Sequence, residues 1–229
     1  IIYRVIGFDT FRDSKIINVL FVFGLAGMIM GSLSAIREND IRRMISFSSV
    51  AQIGYIYMGF GLGTTVGMIA SIFHILSHAA TKSLLFVSGA GLTDVSGDRK
   101  EFIELTGAAY RNICAGLAFT VGSLAMVGIP VFSGFVSKLL FSQAAVQNAH
   151  KLLPTLIALA ISTILNTIYF MKTVIRIYTP VKSKYTSVSV KENPLYVITL
   201  LCFVVLNIVL GMWSQPITDW IAQGLSVFA

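Results

Sequence analysis

Charged side chains are scarce in this sequence. Asp, Glu, Lys and Arg make up only 12% of its 229 residues, whereas soluble globular domains average about 25%. Hydrophobic residues account for 55%, and the mean hydropathy is +0.82. This composition excludes an ordinary soluble domain and predicts an integral membrane protein.

Cysteine is also rare. Cys114 and Cys202 both lie in apolar runs and lack the spacing of metal ligands, so we expect buried thiols rather than a disulfide or a metal site. The sequence shows no cleavable secretory signal at its start, and it opens on the apolar residues IIYRVIGFD without methionine. We interpret the chain as a fragment that lacks its N-terminal part.

Acidic residues are missing from the apolar runs. All ten lie in predicted loops, at helix ends or in the tail. Two lysines inside the runs, Lys82 and Lys138, therefore have no anionic partner in this stretch. Three explanations stay open: a neutral lysine, a hydrated cavity, or a partner from the missing part or another subunit.

What the sequence does contain is a series of runs long enough to span a bilayer, which takes about 20 apolar residues. They are 16–36, 41–62, 67–92, 112–147, 152–178 and 195–213. The fourth run is too long for one span, and Gly128 and Pro130 predict a broken helix with a joint near 128–134. We therefore predict an all-α polytopic transmembrane helix bundle of about six spans plus an N-terminal helix stub, in which residues 1–229 form a single transmembrane domain. In the tail 214–229, Trp213 and Trp220 suit the headgroup level, which predicts an interfacial segment.

Lysine and arginine are distributed unevenly between the two predicted sides of the membrane. One side holds only Arg12, Lys15 and Lys151, and the other holds Arg37, Arg42, Arg43, Arg99, Lys100, Arg111, Lys172, Arg176, Lys182, Lys184 and Lys191. Because short cytoplasmic loops are enriched in basic residues, the second side should be cytoplasmic and the C-terminus outside. This topology accounts for most of the net charge of +7. Nucleic-acid binding is therefore not needed to explain the charge.

Three ionisable residues follow one another at helical spacing in the run VGMIASIFHILSHAATKSLLF. His74, His78 and Lys82 advance about 40° per step, so they form one gently winding row of about 12 Å along the helix. Such a row suits proton hopping through water, because histidine titrates near neutrality. Two other interpretations are a zinc site, for which further ligands are lacking, and a structural role in which the histidines bond neighbouring helices and Lys82 extends to an interface.

The broken helix GIPVFSGFVSK offers a second candidate site. Between Gly128, Pro130 and Gly134 the backbone would be unpaired at membrane depth, as it is along ion sites in transporters. Lys138 follows about one turn later, where the helix dipole disfavours a positive charge and keeps the proton exchangeable. Alternatively, Lys138 only binds carbonyls freed by the break.

The segment DIRRMISFSSVAQIGYIYMGFGLG is unusually polar for a membrane span. Its hydroxyls and amide predict a face turned to the bundle interior, either as hydrogen bonds between helices or as water anchors beside a path. The residues are Ser46, Ser48, Ser49, Gln52, Tyr55 and Tyr57.

In order and spacing, DIRRMISFSSVAQIGY, HILSHAATKSLLF and GIPVFSGFVSK resemble the antiporter-like membrane subunits of Mrp-type sodium/proton antiporters, respiratory complex I and membrane-bound hydrogenases. The resemblance runs from about residue 16 to 145. It implies a fourteen-helix fold with two inverted five-helix repeats, of which this chain holds the C-terminal half from the end of helix eight. His74, His78 and Lys82 would form the polar row of helix eleven, and Lys138 the terminal exchange residue of the broken helix twelve.

The family's glutamate and lysine pair on helices five and seven would precede Ile1, so the fragment alone should not transport. The resemblance implies translocation of protons, together with other antiporter-like and small membrane subunits, in a bacterial or archaeal cell membrane. Whether Na+, K+ or only protons move stays open. We expect no cofactor, no metal and no nucleic acid. Whether the complex is an antiporter, an NADH:quinone oxidoreductase-like enzyme or a hydrogenase stays open. The alternative function is a non-conducting scaffold subunit.

Overall fold

The computed structural model describes residues 10, 13–180 and 194–227. Within them the chain forms nine named helices and no strand. The helices are α1 (Ile16–Arg37), α2 (Ile41–Gly61), α3 (Thr65–Asp94), α4 (Ala108–Arg111), α5 (Ile113–Val127), α6 (Ser133–Val146), α7 (Ala149–Ile177), α8 (Pro194–Met212) and α9 (Ser214–Ser226). The predicted N-terminal stub lies outside the described residues, apart from isolated positions.

Four described helices, α1, α3, α7 and α8, are long and apolar enough to cross a membrane. Helix α2 has 21 residues, which also suffices in length, but its polar side chains make it less apolar. The predicted broken helix is present as α5 and α6, with the non-helical joint at residues 128–132. The all-helical transmembrane fold predicted from the sequence is thereby confirmed.

Helices α1 and α2 approach each other closely because glycines line their contact. A Cβ on Gly31 would lie 2.5 Å from the backbone nitrogen of Ala51, and one on Gly54 would lie 2.5 Å from that of Met28. Small residues of this kind allow membrane helices to pack backbone against backbone. The contact holds α2 in place, and α2 carries the polar segment.

Polar side chains lie inside the bundle and large apolar ones outside. Gln52, Asn166 and Asn207 are buried, whereas Phe23, Ile164 and Leu201 are exposed. This distribution suits a protein whose surroundings are lipid, where buried polar groups can bond only one another.

Most of the described arginines and lysines lie at one end of the bundle, where Arg37, Arg43, Lys172 and Arg176 line one surface pocket. Asp40 caps α2 by accepting hydrogen bonds from the backbone of Arg42 and Arg43, and Arg42 lies 3.6 Å from Asp98 in the loop after α3. Lys151 is at the other end, where its ammonium donates to the Gly61 carbonyl. Arg4, Arg12, Lys182, Lys184 and Lys191 lie outside the described residues.

The C-terminal tail is helical and lies on the surface of the bundle. Residues 214–226 form helix α9, which has no buried residue, and Trp213 and Trp220 are exposed.

Both cysteines are free, but Cys114 is only partly buried and Cys202 is exposed, so the expectation of two buried thiols was wrong. Helix α8 is apolar on nearly all sides, and composition could not tell which side faces inward.

Candidate functional site

The ionisable row on α3 lies in the interior of the bundle. The rings of His74 and His78 stack with their centroids 6.2 Å apart and their planes 20° from parallel. His74 and Lys82 are 5% and 7% exposed, and His78 is partly buried. The three side chains therefore follow one face of α3, as their spacing predicted.

Lys82 is held by neutral oxygen atoms of α2. Its ammonium donates a hydrogen bond of 2.7 Å to the Ile45 carbonyl and another to the Ser48 hydroxyl. In the described part of the chain, no ion pair is found for Lys82. Hydrogen bonds satisfy its donors without cancelling its charge, so a charged Lys82 is costly at this depth.

Lys138 lies directly across the helix break. Gly128 ends α5 in the left-handed conformation (φ 89°), and Val131 has φ 84°, so the chain turns sharply before α6 begins. The ammonium of Lys138 donates to the carbonyl of Val127, one of the carbonyls that the break frees. This contact agrees with the alternative in which Lys138 only binds carbonyls freed by the break. The negative end of the α5 helix dipole stabilises the ammonium there.

The two lysines are linked by rings and imidazoles. The His74 ring lies 5.5 Å from Tyr55 and 5.5 Å from Phe141, centroid to centroid. Phe141 is on α6, one turn after Lys138, so the His74 ring contacts the half-helix that carries Lys138. His78 lies one helical turn before Lys82 on α3. The order through the bundle is Lys82, His78, His74, Lys138.

The predicted break residues occupy different parts of the joint. Gly128 and Pro130 lie in the non-helical stretch, but Gly134 lies in the first turn of α6. A Cβ on Gly134 would be 1.9 Å from the Ala125 carbonyl oxygen. Gly134 therefore lets α6 pack against α5 instead of forming the joint itself.

Sequence reasoning missed a polar face on α7, here called the α7 face, which consists of Ser162, Asn166 and Tyr169. All three are buried, at 2% exposure or less, and the Tyr169 hydroxyl donates to the Asn166 side-chain oxygen over 2.6 Å. A signal was present, because polar residues spaced by four and three in an apolar run fall on one side of a helix.

Several buried polar atoms around this row have no hydrogen-bond partner among the described residues. They are Gln52 Nε2, Tyr55 Oη, His74 Nδ1 and Nε2, His78 Nδ1, Ser162 Oγ and Asn166 Nδ2. Each such atom costs about 1–3 kcal/mol in a folded protein. Because buried polar groups are normally bonded, their concentration on α2, α3 and α7 makes this part of the bundle the candidate functional site.

A second polar cluster lies beside the break and is fully bonded. Asn207 on α8 accepts hydrogen bonds from Thr81 (2.6 Å) and Ser133 (3.2 Å), and Ser77 donates to Ser133 over 2.7 Å. Thr81 precedes Lys82, and Ser133 begins α6. The cluster therefore joins the lysine-bearing helix α3 to the second half of the broken helix.

The family described as "NADH:quinone oxidoreductase/Mrp antiporter, TM" matches residues 1–165. NADH-quinone oxidoreductase subunit N of Desulforudis audaxviator (strain MP104C) is 31% identical over 180 residues, which are 77% of this chain and 35% of that protein. A chain in the archaeal membrane-bound sulfane sulfur reductase has a TM-score of 0.82 and 26% identity, covering 93% of this chain and 42% of its own.

A chain of the Mrp complex from Dietzia sp. DQ12-45-1b has the same fold, with a TM-score of 0.82 and 24% identity over 98% of this chain and 49% of its own. The chain belongs to the NADH:quinone oxidoreductase/Mrp antiporter membrane family. It is a multi-pass membrane protein of the antiporter-like type, and it spans less than half the length of each of these proteins.

The bonded cluster around Asn207 generates a prediction about stability. Replacing Asn207 by leucine removes the acceptor shared by Thr81 and Ser133, so the free energy of unfolding should fall by about 1–3 kcal/mol. The measurement is the thermal unfolding midpoint of the full-length protein in detergent.

Thr199→Val on the same helix is the control, because the Thr199 hydroxyl is exposed and bonds only the carbonyl of Leu195. That variant should stay within about 0.5 kcal/mol of the parent. Equal midpoints for Asn207→Leu and the control would show that the cluster does not join α8 to the break.

Proposed function

We propose that this chain is part of a subunit that moves protons across a membrane, within a multisubunit complex of the Mrp antiporter or NADH:quinone oxidoreductase type. The observation that carries the proposal is the placement of Lys82, His78, His74 and Lys138 inside a bundle whose outer surface is apolar. Ionisable groups are costly at membrane depth and serve ion or proton paths by default. Family membership supports the same conclusion.

The mechanism would be stepwise. Each histidine can accept a proton at one ring nitrogen and release one from the other. Lys82 would take up a proton while bonded to Ser48, and its positive charge would repel a proton on His78. Lys138 would be the terminal exchange residue, releasing its proton when its ammonium leaves the Val127 carbonyl.

Membership of the family supports the expected partners. The similar structures come from a multisubunit Mrp complex and an archaeal respiratory membrane complex, which supports other antiporter-like and small membrane subunits as neighbours here. Residues 1–229 would form one transmembrane domain of the complete subunit, with 214–229 lying at the membrane interface. Na+ or K+ would be exchanged for protons if the complex is of the Mrp type.

We expect the protein to lie in a bacterial or archaeal cell membrane, with a defined orientation. The clustering of Arg42, Arg43 and Lys172 at one end supports a cytoplasmic position for that end. The C-terminus would then lie outside.

Substitution of the two lysines tests the proposal. Lys82→Met and Lys138→Met keep the length of the side chain and remove its exchangeable proton. In the full-length protein within its complex, reconstituted into vesicles, each should lower proton flux by about 100-fold. A pH-sensitive dye inside the vesicles measures the flux.

Lys172→Met is the matched control, because Lys172 is an exposed residue at the basic end of α7. Its flux should equal that of the parent. Parent-like flux in both Lys82→Met and Lys138→Met would favour the alternative, a non-conducting scaffold subunit.

Topology can be tested separately with single cysteines. In full-length protein with Cys114 and Cys202 replaced by serine, Gln147→Cys should react with an impermeant maleimide in intact cells. Asp98→Cys, which is at the basic end, should react only after the membrane is opened. The reverse labelling pattern would contradict a cytoplasmic basic end.

A further inference from the structure

A surface pocket of about 670 Å³ opens at the basic end of the bundle. It lies where the end of α1, the start of α2, the loop after α3 and the end of α7 meet. Arg37 and Arg176 occupy the last turns of α1 and α7, so the two helix ends bring both guanidinium groups to the same pocket. The charged residues that line it are Arg37, Arg43, Lys172, Arg176, Glu38, Asp40 and Glu101.

Two of the three carboxylates in this pocket already have partners. Glu38 pairs with Arg43 over 3.4 Å, and the Asp40 carboxylate accepts hydrogen bonds from the backbone at the start of α2. By contrast, the side chains of Arg37, Lys172 and Arg176 have no ion pair or hydrogen bond within residues 13–180 and 194–227. Only Glu101 opposes them without a partner of its own there, so the pocket has an excess of positive charge and suits an anion.

An apolar groove continues from the pocket along the outer side of α7. The groove shares the two basic residues of α7 with the pocket and is also lined by Ile168, Met171 and Ile175. Ile164, one turn before Ile168, is 60% exposed on the same side of the helix. From Ile164 to Ile175 the helix rises about 16 Å, which is close to the depth of one leaflet, half of the roughly 30 Å hydrocarbon core.

We propose that the pocket and the groove together bind one anionic glycerophospholipid, from the leaflet at the basic end of the bundle. Its phosphate would lie between Arg37 and Arg176, and an acyl chain would follow the outer side of α7. Guanidinium groups suit this role because their planar fork can bond two phosphate oxygens at once. Basic pockets between membrane helices bind lipid headgroups in the same way.

The cations at this end also have two general roles. They stabilise the negative ends of helix dipoles, and they fix the orientation of the protein in the membrane. Neither role requires a concave pocket that continues into an apolar groove. A phosphate held by both arginines would also tie α1 to α7, so the bound lipid should stabilise the bundle.

The test uses the full-length protein in its complex, purified in detergent. The probe is phosphatidylglycerol with a photoreactive diazirine on its acyl chain, and mass spectrometry locates the cross-linked residues. We expect cross-links on the outer side of α7, at residues 164–175. Unlabelled phosphatidylglycerol should compete at about tenfold lower concentration than phosphatidylethanolamine or phosphatidylcholine. Inorganic phosphate in the same concentration range should not compete, because it has no acyl chain.

The double variant Arg37→Gln/Arg176→Gln removes both guanidinium groups from the pocket. It should raise the phosphatidylglycerol concentration needed for half-maximal competition by about 30-fold, which corresponds to about 1 kcal/mol for each arginine. Lys100→Gln is the matched control, because Lys100 is at the basic end but does not line the pocket. Competition in this control should stay within about twofold of the parent.

The thermal unfolding midpoint gives a second measurement. Without added lipid, the double variant should stay within about 3 °C of the parent, because neither arginine side chain has a bonded partner to lose among the described residues. Added phosphatidylglycerol should raise the midpoint of the parent and of Lys100→Gln, and not that of the double variant. Because the pocket lies outside the ionisable row, the readout is lipid binding and not proton flux.

Three results would overturn the proposal. Absence of cross-links at residues 164–175 in the parent would mean that protein covers this side of α7. Equal competition by phosphatidylglycerol and the two neutral lipids would indicate unselective contact with bulk lipid. An equal loss of competition in Lys100→Gln and in the double variant would assign the attraction to the basic end as a whole instead of to the pocket.

Discussion

Inside a bilayer, the ammonium group of a buried lysine is stabilised only by the polar groups that the protein places around it. Lys82 meets the Ile45 carbonyl and the Ser48 hydroxyl, and Lys138 meets the Val127 carbonyl at a helix end that the break exposes. Neutral oxygens stabilise an ammonium less than a carboxylate would. The proposed translocation path requires a proton that can leave each lysine, and an ammonium bonded only to neutral oxygens suits that role.

The surrounding fold serves this arrangement. Glycines in α1 and α2 fix the helix that binds Lys82, and the Asn207 cluster fixes the half-helix that carries Lys138. The Asn207 cluster is fully hydrogen-bonded. Around Gln52, His74 and Asn166, by contrast, several buried polar atoms have no partner among the described residues.

Sequence reasoning could find features that depend on one helix at a time. The spans, the break at Gly128 and Pro130, and the row on α3 all follow from local hydropathy and spacing. The α7 face also had a local signal in its spacing, which was overlooked. The Asn207 cluster could not be placed, because it depends on which helices are neighbours, and Thr81 and Asn207 are 126 positions apart. The exposure of Cys202 was missed for a related reason, since an apolar helix gives no sign of which side faces inward.

The central claim is that Lys82 and Lys138 act in series on one proton path, and the double variant Lys82→Met/Lys138→Met tests it most directly. Proton flux should be measured for the parent, both single variants and the double variant in the same vesicle preparation. Groups that act as one unit are non-additive, so the account predicts that the double variant conducts as slowly as the slower single variant. Flux reduced by the product of the two single effects, or flux equal to the parent, would contradict it.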